Sequence, residues 1–211
     1  MSHWEKWECQ VVTGSFPHLQ RLSIKFCPKL KGQLPKQVVP LKILQIEDCQ
    51  QLEASAPRAL DLELSECGKL HLDWATMKIL RMEEVSLLEI AGSDNLEHLE
   101  VDSVLLSISD NCVSLCTFPL DFFQTLKTLN LYGFHNLQMI SQGLIHNHLE
   151  CLEIFSCHKL ESLCGNMRML LPSLRMFLIK DCPRLELFPD GGFPSNLEDL
   201  TIEDCPRLEF P

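Results

Sequence analysis

A strand-rich solenoid of the α/β class is the fold this sequence predicts, with a curved parallel β-sheet on its concave side and loops and short 3-10 turns on its convex side. Three observations lead there. One hydrophobic pattern recurs along the whole chain; two apolar residues of each copy sit two positions apart, as on one face of a strand; and prolines fall where a helix would need backbone donors. A unit this short buries its apolar face only against its neighbours, so the copies have to stack.

The first copy is Leu19-x-x-Leu22-x-Ile24-x-x-Cys27-x-x-Leu30. It returns as Leu41, Leu44, Ile46, Cys49, Leu52 and as Ala59, Leu62, Leu64, Cys67, Leu70. Looser copies follow: Met77, Leu80, Met82, Val85, Leu88, then Leu96, Leu99, Val101, Val104, and Leu126, Leu129, Leu131, Phe134, Leu137. The last three are again regular, Leu149 to Leu160, Leu174 to Leu185 and Leu197 to Leu208, with Cys157, Cys182 and Cys205 in the cysteine slot. Between Leu106 and Leu115 a damaged unit keeps only the tail of the pattern, Cys112 and Leu115.

Residues such as Leu22 and Ile24 share one face of a strand, whereas on a helix they would diverge by about 200°. Pro28, Pro183 and Pro206 directly follow the slot cysteines and would break a helix there. The distance between first apolar residues runs from 18 (Leu41 to Ala59) to 30 (Leu96 to Leu126), and this variation has to be absorbed on the convex side. Segments such as Phe188 to Ser195, with Pro189, Gly191, Gly192 and Pro194, carry turn residues there. A small, easily buried thiol suits the point where the chain leaves the sheet. The organisation that follows is a flanking segment, residues 1–15, and a repeat domain, residues 16–211, of about nine to ten irregular units.

Composition narrows the function classes. The 211 residues carry 18 basic and 29 acidic side chains, a net charge of −11, and 45% hydrophobic residues, enough for a continuous core. No polybasic stretch exists to release counterions from a phosphate backbone or to hold an anionic membrane, so the expected partner is a protein, not nucleic acid or lipid. The amino terminus lacks the basic and apolar regions of a secretory signal, and the longest apolar runs fall well short of the roughly 18 residues a membrane span needs. Eleven cysteines are an odd number, no Asn-x-Ser/Thr sequon occurs, and seven cysteines share one motif position. Reduced thiols and a cytoplasmic location are therefore expected, with a secreted ectodomain as the alternative that disulfides would reveal.

The residues that flank the buried pair of each strand project from the concave face. They include nine acids and four bases, with the acids concentrated from Glu47 to Asp102: Asp61, Glu63, Glu83, Glu100 and Asp102 among them. A basic partner surface fits that half. In the other half Tyr132, Phe155, Met176 and Leu178, with Cys151, put aromatic and aliphatic groups on a face that is otherwise polar, as at contact sites. Nine concave residues, the five acids just named with Tyr132, Phe155, Met176 and Leu178, are the expected protein-binding set. No catalytic, cofactor or metal site is expected: no Gly-x-Ser-x-Gly elbow occurs, and His146, His148, Cys151, Cys157 and His158, though close in sequence, fall on different faces of the repeat.

The units match the leucine-rich-repeat consensus in its C-x-x-L variant, as in Cys27-Pro28-Lys29-Leu30 and Cys182-Pro183-Arg184-Leu185. More narrowly, the chain resembles the carboxy-terminal repeats of plant coiled-coil nucleotide-binding leucine-rich-repeat disease-resistance proteins. Trp4-Glu5-Lys6-Trp7-Glu8-Cys9, Phe16-Pro17-His18-Leu19, Phe118-Pro119-Leu120-Asp121-Phe122-Phe123, His146-Asn147-His148-Leu149 and Phe193-Pro194-Ser195-Asn196-Leu197 carry that resemblance. It implies a cytoplasmic recognition module of an immune receptor, meeting a pathogen effector or a host guardee, or restraining the receptor's nucleotide-binding module. No G-x-x-x-x-G-K-[ST] loop is present, so no nucleotide is expected to bind, and the stop at Leu208-Glu209-Phe210-Pro211, within a unit, suggests a fragment of a longer receptor. Two alternatives stay open: the substrate-recognition repeat of an F-box-type ubiquitin-ligase adaptor, and a truncated receptor product with no signalling role.

Overall fold

Alternation of apolar and polar residues makes strands of the motif cores. The computed structural model describes residues 5–6, 16–32, 34, 40–52, 54–55, 58–67, 70–71, 77–83, 96–102, 116–134, 136–187, 189 and 191–209. In chain order the strands are β1 (Arg21–Lys25), β2 (Leu41–Cys49), β3 (Ala54–Ser55), β4 (Ala59–Cys67), β5 (Leu70–His71), β6 (Ile79–Glu83) and β7 (His98–Asp102). They continue as β8 (Thr117–Pro119), β9 (Thr128–Tyr132), β10 (Met139–Ser141), β11 (Cys151–Phe155), β12 (Met176–Lys180) and β13 (Asp199–Glu203). Nine of them form one parallel sheet in the order β1-β2-β4-β6-β7-β9-β11-β12-β13.

The register follows the motif. Leu22 pairs with Leu44, Leu44 with Leu62, Leu62 with Leu80, and the line runs on through Leu99, Leu129, Leu152 and Phe177 to Leu200. A one-residue slip would turn every one of these side chains to the opposite face, so burial on one side fixes the pairing. Leu44, Leu62, Leu80, Leu129, Leu152 and Phe177 are all buried, whereas at the ends of the stack Leu22 is half-buried and Leu200 is 42% exposed. Full burial of such a leucine is worth about 1.5–3 kcal/mol. β7 pairs directly with β9. The damaged unit read at Leu106 to Leu115 lies outside the described residues.

A repeated turn takes the chain out of the sheet. The residue before each slot position has a left-handed backbone: Phe26, Asp48, Glu66, Ser156, Asp181 and Asp204 at φ 46 to 56°, and Gly133 at φ 66° ahead of Phe134. Such φ values are uncommon outside glycine and least unfavourable for Asp and Asn. A lateral bond holds them in place: the Phe26 N–H donates to Glu47 O at 2.9 Å, Ser156 N–H to Lys180 O at 3.0 Å and Asp181 N–H to Glu203 O at 3.0 Å. The next four residues close a β-turn, with Leu30, Leu52, Leu160, Leu185 and Leu208 N–H donating to the carbonyl of the slot cysteine at 3.0–3.2 Å. Pro28, Pro183 and Pro206 stand at the second turn position, where a fixed φ is favourable.

The slot thiols are hydrogen-bonded as well as buried. Each donates to the carbonyl two residues earlier: Cys27 to Lys25 O at 3.3 Å, Cys49 to Glu47 O at 3.4 Å, Cys67 to Ser65 O at 3.1 Å and Cys157 to Phe155 O at 3.5 Å. Cys67 also reaches back one rung, to Ile46 O at 3.1 Å.

The convex side contains more regular structure than loops and 3-10 turns alone. β3 pairs with β5 and β8 with β10, both parallel, and single bridges continue the second ladder from Met139 to Ser162 and from Ser162 to Leu187. Among the described residues the convex side also holds a 3-10 turn (Leu120–Phe122) and one short helix, α1 (Met167–Leu170). Between the layers the core is a line of leucines joined by Phe118, Phe123, Ile140 and Met167, with the Phe118 and Phe123 rings stacked 5.8 Å apart.

Candidate functional site

Parallel register turns the outward strand positions into three rows across the sheet. The first runs Arg21, Ile43, Asp61, Ile79, His98, Thr128, Cys151, Met176, Asp199; the second runs Ser23, Gln45, Glu63, Arg81, Glu100, Asn130, Glu153, Leu178, Thr201. The third runs Lys25, Glu47, Ser65, Glu83, Asp102, Tyr132, Phe155, Lys180, Glu203. All nine residues expected to bind protein occupy these rows. The side chains of Glu83, Glu100 and Asp102 lie outside the described residues, and their positions are given by backbone register alone.

In the amino-terminal half Glu47, Asp61 and Glu63 are paired within the sheet. Arg81 Nη1 contacts Asp61 Oδ1 at 2.9 Å and Glu63 Oε1 at 3.1 Å, and Gln45 Nε2 donates to Glu63 Oε2 at 2.5 Å. Lys25 pairs with Glu47 at 2.7 Å. Asp61 and Glu63 are thus less available to a basic partner than the acid count implies, because neighbouring rungs already answer their charge.

The carboxy-terminal half has another character. Tyr132 and Phe155, direct partners in register, stack with ring centroids 4.8 Å apart and planes 13° from parallel. The Tyr132 hydroxyl donates to Glu153 Oε2 at 3.2 Å. Cys151 Sγ lies 3.7 Å from Met176 Sδ and 3.9 Å from Glu153 Oε1. Burial, reinforced by the Glu153 charge, pushes the Cys151 thiol up to about 11, so it stays protonated near neutrality. Tyr132, Phe155 and Leu178 are half-buried and Met176 is 39% exposed, so the four form one apolar surface reached by solvent. Lys180 at its border is held by Glu203 at 2.5 Å.

One charged row escaped the sequence reading because it needs the register to be seen. Lys78, Glu97, Lys127, Glu150, Arg175 and Glu198, each just ahead of its strand, alternate in sign over six successive rungs. Lys78 and Lys127 both contact Glu97, at 3.0 and 2.6 Å, and Arg175 contacts Glu198 at 3.5 Å. The two ammonium groups hold the Glu97 carboxyl down at about 2. Exposed pairs of this kind contribute little individually.

The sulfur and imidazole groups have structural partners. Burial pushes Cys67 and Cys164 up to about 12, and Cys182 rises beside the hydrogen-bonded, equally buried Cys157. His146, fully buried, shares 2.8 Å with Phe123 O through Nε2, while Nδ1 accepts the Leu149 N–H at 3.2 Å. That ring nitrogen replaces the carbonyl that receives the equivalent leucine N–H elsewhere, as Phe123 O does for Leu126 and Leu171 O for Leu174. Among the described residues no group of three His, Cys, Asp or Glu side chains is arranged to hold a metal ion. None of the described helices is long and apolar enough to cross a membrane.

Nine motif strands in one parallel, in-register sheet define a leucine-rich-repeat solenoid. The chain is similar to an Arabidopsis thaliana protein described as disease resistance RPP13-like protein 1, at 26% identity over 200 residues. That match takes in 92% of this chain and 13% of the relative's length. No family model matches the chain, and no solved structure matches it.

Proposed function

We propose that this solenoid is a protein-recognition module of a plant intracellular immune receptor, binding through the carboxy-terminal half of its outer sheet face. The observation that carries this is the stacked Tyr132–Phe155 pair continuous with Met176 and Leu178, on a sheet face whose other outward residues are charged or polar apart from Ile43, Ile79 and Cys151. Contact energy concentrates at such aromatic clusters, and the similarity to a plant disease resistance protein supports a setting in defence. The ligand is a pathogen effector or a host guardee, and the same face meets the receptor's nucleotide-binding module in the resting state, so ligand and module compete for it. Recognition, not catalysis, is the proposed activity. A cytoplasmic setting agrees with slot thiols that donate hydrogen bonds to strand carbonyls, a role a disulfide would remove.

Co-precipitation of this chain with the nucleotide-binding module of its receptor tests the proposal. Phe155→Ala should reduce the captured module about tenfold, as removal of a hot-spot aromatic does. Asp61→Asn with Glu63→Gln should have a smaller effect, because Arg81 and Gln45 already engage both carboxylates. Met169→Ala, on the convex side and 61% exposed, should leave capture unchanged. Equal capture by wild type and Phe155→Ala would reject the assigned face, and no capture by wild type would remove the restraint role.

A further inference from the structure

We infer that the apolar half of the outer face is built to receive an arginine side chain of the protein partner, its guanidinium lying on the Tyr132–Phe155 stack and its N–H groups bonding to Glu153. The inference rests on the recognition role proposed above and specifies its chemistry. Three features of the geometry converge on a planar cationic donor. The first is the ring pair itself, 4.8 Å between centroids, with both rings half-buried and so partly open to solvent. Aromatic faces attract cations, and guanidinium stacks on them flat where ammonium does not. The second is a surplus of acceptors. Glu153 accepts a hydrogen bond from Tyr132 on Oε2 and a long one from the Cys151 thiol on Oε1 at 3.9 Å, one on each oxygen. A carboxylate has about four acceptor positions, so lone pairs remain on half-buried Glu153 for the N–H groups of a guanidinium, which carries five.

The third feature is charge. On the outward rows of β7, β9 and β11 the formal charges are Glu100, Asp102 and Glu153, with no lysine or arginine among them. Asp102 stands in register beside Tyr132 and Glu100 beside Asn130. This contrasts with β4 and β6, where Arg81 answers Asp61 and Glu63. Of the cations nearest in register, Arg81, beside Glu100, is engaged by Asp61 and Glu63, Lys180 is held by Glu203, and Lys127 on the row ahead of the strands is held by Glu97. An arginine from outside supplies the charge this segment lacks, and an apolar neighbour of that arginine has Met176 and Leu178 to rest on.

Tyr132 is the only tyrosine in the chain, so ring-labelled tyrosine gives a single resonance from the site itself. The probe is a blocked Gly-Arg-Gly peptide, titrated beside its lysine and citrulline counterparts. The arginine peptide should move the tyrosine signal saturably, the lysine peptide should bind about tenfold more weakly, and the uncharged citrulline peptide should leave the signal in place. Glu153→Gln should weaken the arginine response about tenfold, with an otherwise unchanged amide spectrum showing that the fold is intact. An unmoved signal, or equal responses to arginine and citrulline or to arginine and lysine, would overturn the inference. The two proposals fail separately. Loss of module capture in Phe155→Ala with no arginine response removes the arginine assignment alone, whereas an arginine response with unchanged capture removes the recognition role of this face.

Discussion

The two halves of the outer sheet face rest on the same scaffold and differ in what they offer a partner. From β2 to β6 the described outward charges are settled between rungs, Arg81 against Asp61 and Glu63, Gln45 against Glu63, and Glu47 against Lys25 of β1. From β9 to β12 the outward positions carry a stacked aromatic pair, a sulfur contact and one carboxylate, Glu153, while the one outward cation, Lys180, is paired with Glu203. Inward, the halves are equivalent: Leu62 and Leu152 occupy the same row of the core at 1% exposure each. Fold and recognition are thus written in alternating strand positions, and one set can vary while the other is held by packing.

That equivalence is open to test. Leu62→Ala and Leu152→Ala should each lower stability by about 2–5 kcal/mol in urea unfolding, through lost burial and the cavity left behind. A large loss at one site and a negligible loss at the other would break the claim that both halves belong to one continuous core. A smaller effect should separate the halves. His146 sits behind the apolar half with its Nδ1 accepting the Leu149 N–H, an arrangement that requires the neutral ring. Burial lowers its pKa in the folded state. The unfolded chain therefore binds the proton more readily, so this contribution to stability is fully present above pH ~6.5 and is lost as the pH falls, by up to about 1.4 kcal/mol per pH unit. Hydrogen exchange at the Leu149 amide, compared at pH 7.5 and 5.5 after correction for intrinsic rates, should show protection lost on acidification. Protection that rises on acidification would contradict the sign.

Much of this fold could be read from the sequence because the side-chain period of a strand is short and the motif repeats it. The positions of Leu22 and Ile24 and their counterparts defined the strands, the buried face and the outward rows, and with them the juxtaposition of Tyr132 and Phe155. What was not legible depended on contacts between rungs. The ladder from Lys78 through Glu97 to Lys127 joins residues 19 and 30 positions apart, at spacings that change from unit to unit. The left-handed residue before each slot is glycine only at Gly133, so its usual marker is missing at Phe26 and Glu66. The burial of His146 has no local marker in the sequence, since nothing near it reveals that Phe123 O, 23 positions earlier, waits for its ring. The arginine clamp on Asp61 and Glu63 was hidden for the same reason: charge counts ignore pairing.

The account turns on the register that sets Tyr132 against Phe155, residues 23 positions apart whose ring centroids lie 4.8 Å from each other. A nuclear Overhauser spectrum of protein labelled only at tyrosine and phenylalanine rings measures this directly. Strong cross-peaks from the single tyrosine to the Phe155 ring, lost in Phe155→Leu, are the predicted result. A tyrosine whose only aromatic neighbours lie elsewhere in the chain, with cross-peaks unchanged in that variant, would contradict both the stacking of the rungs and the recognition surface built on it.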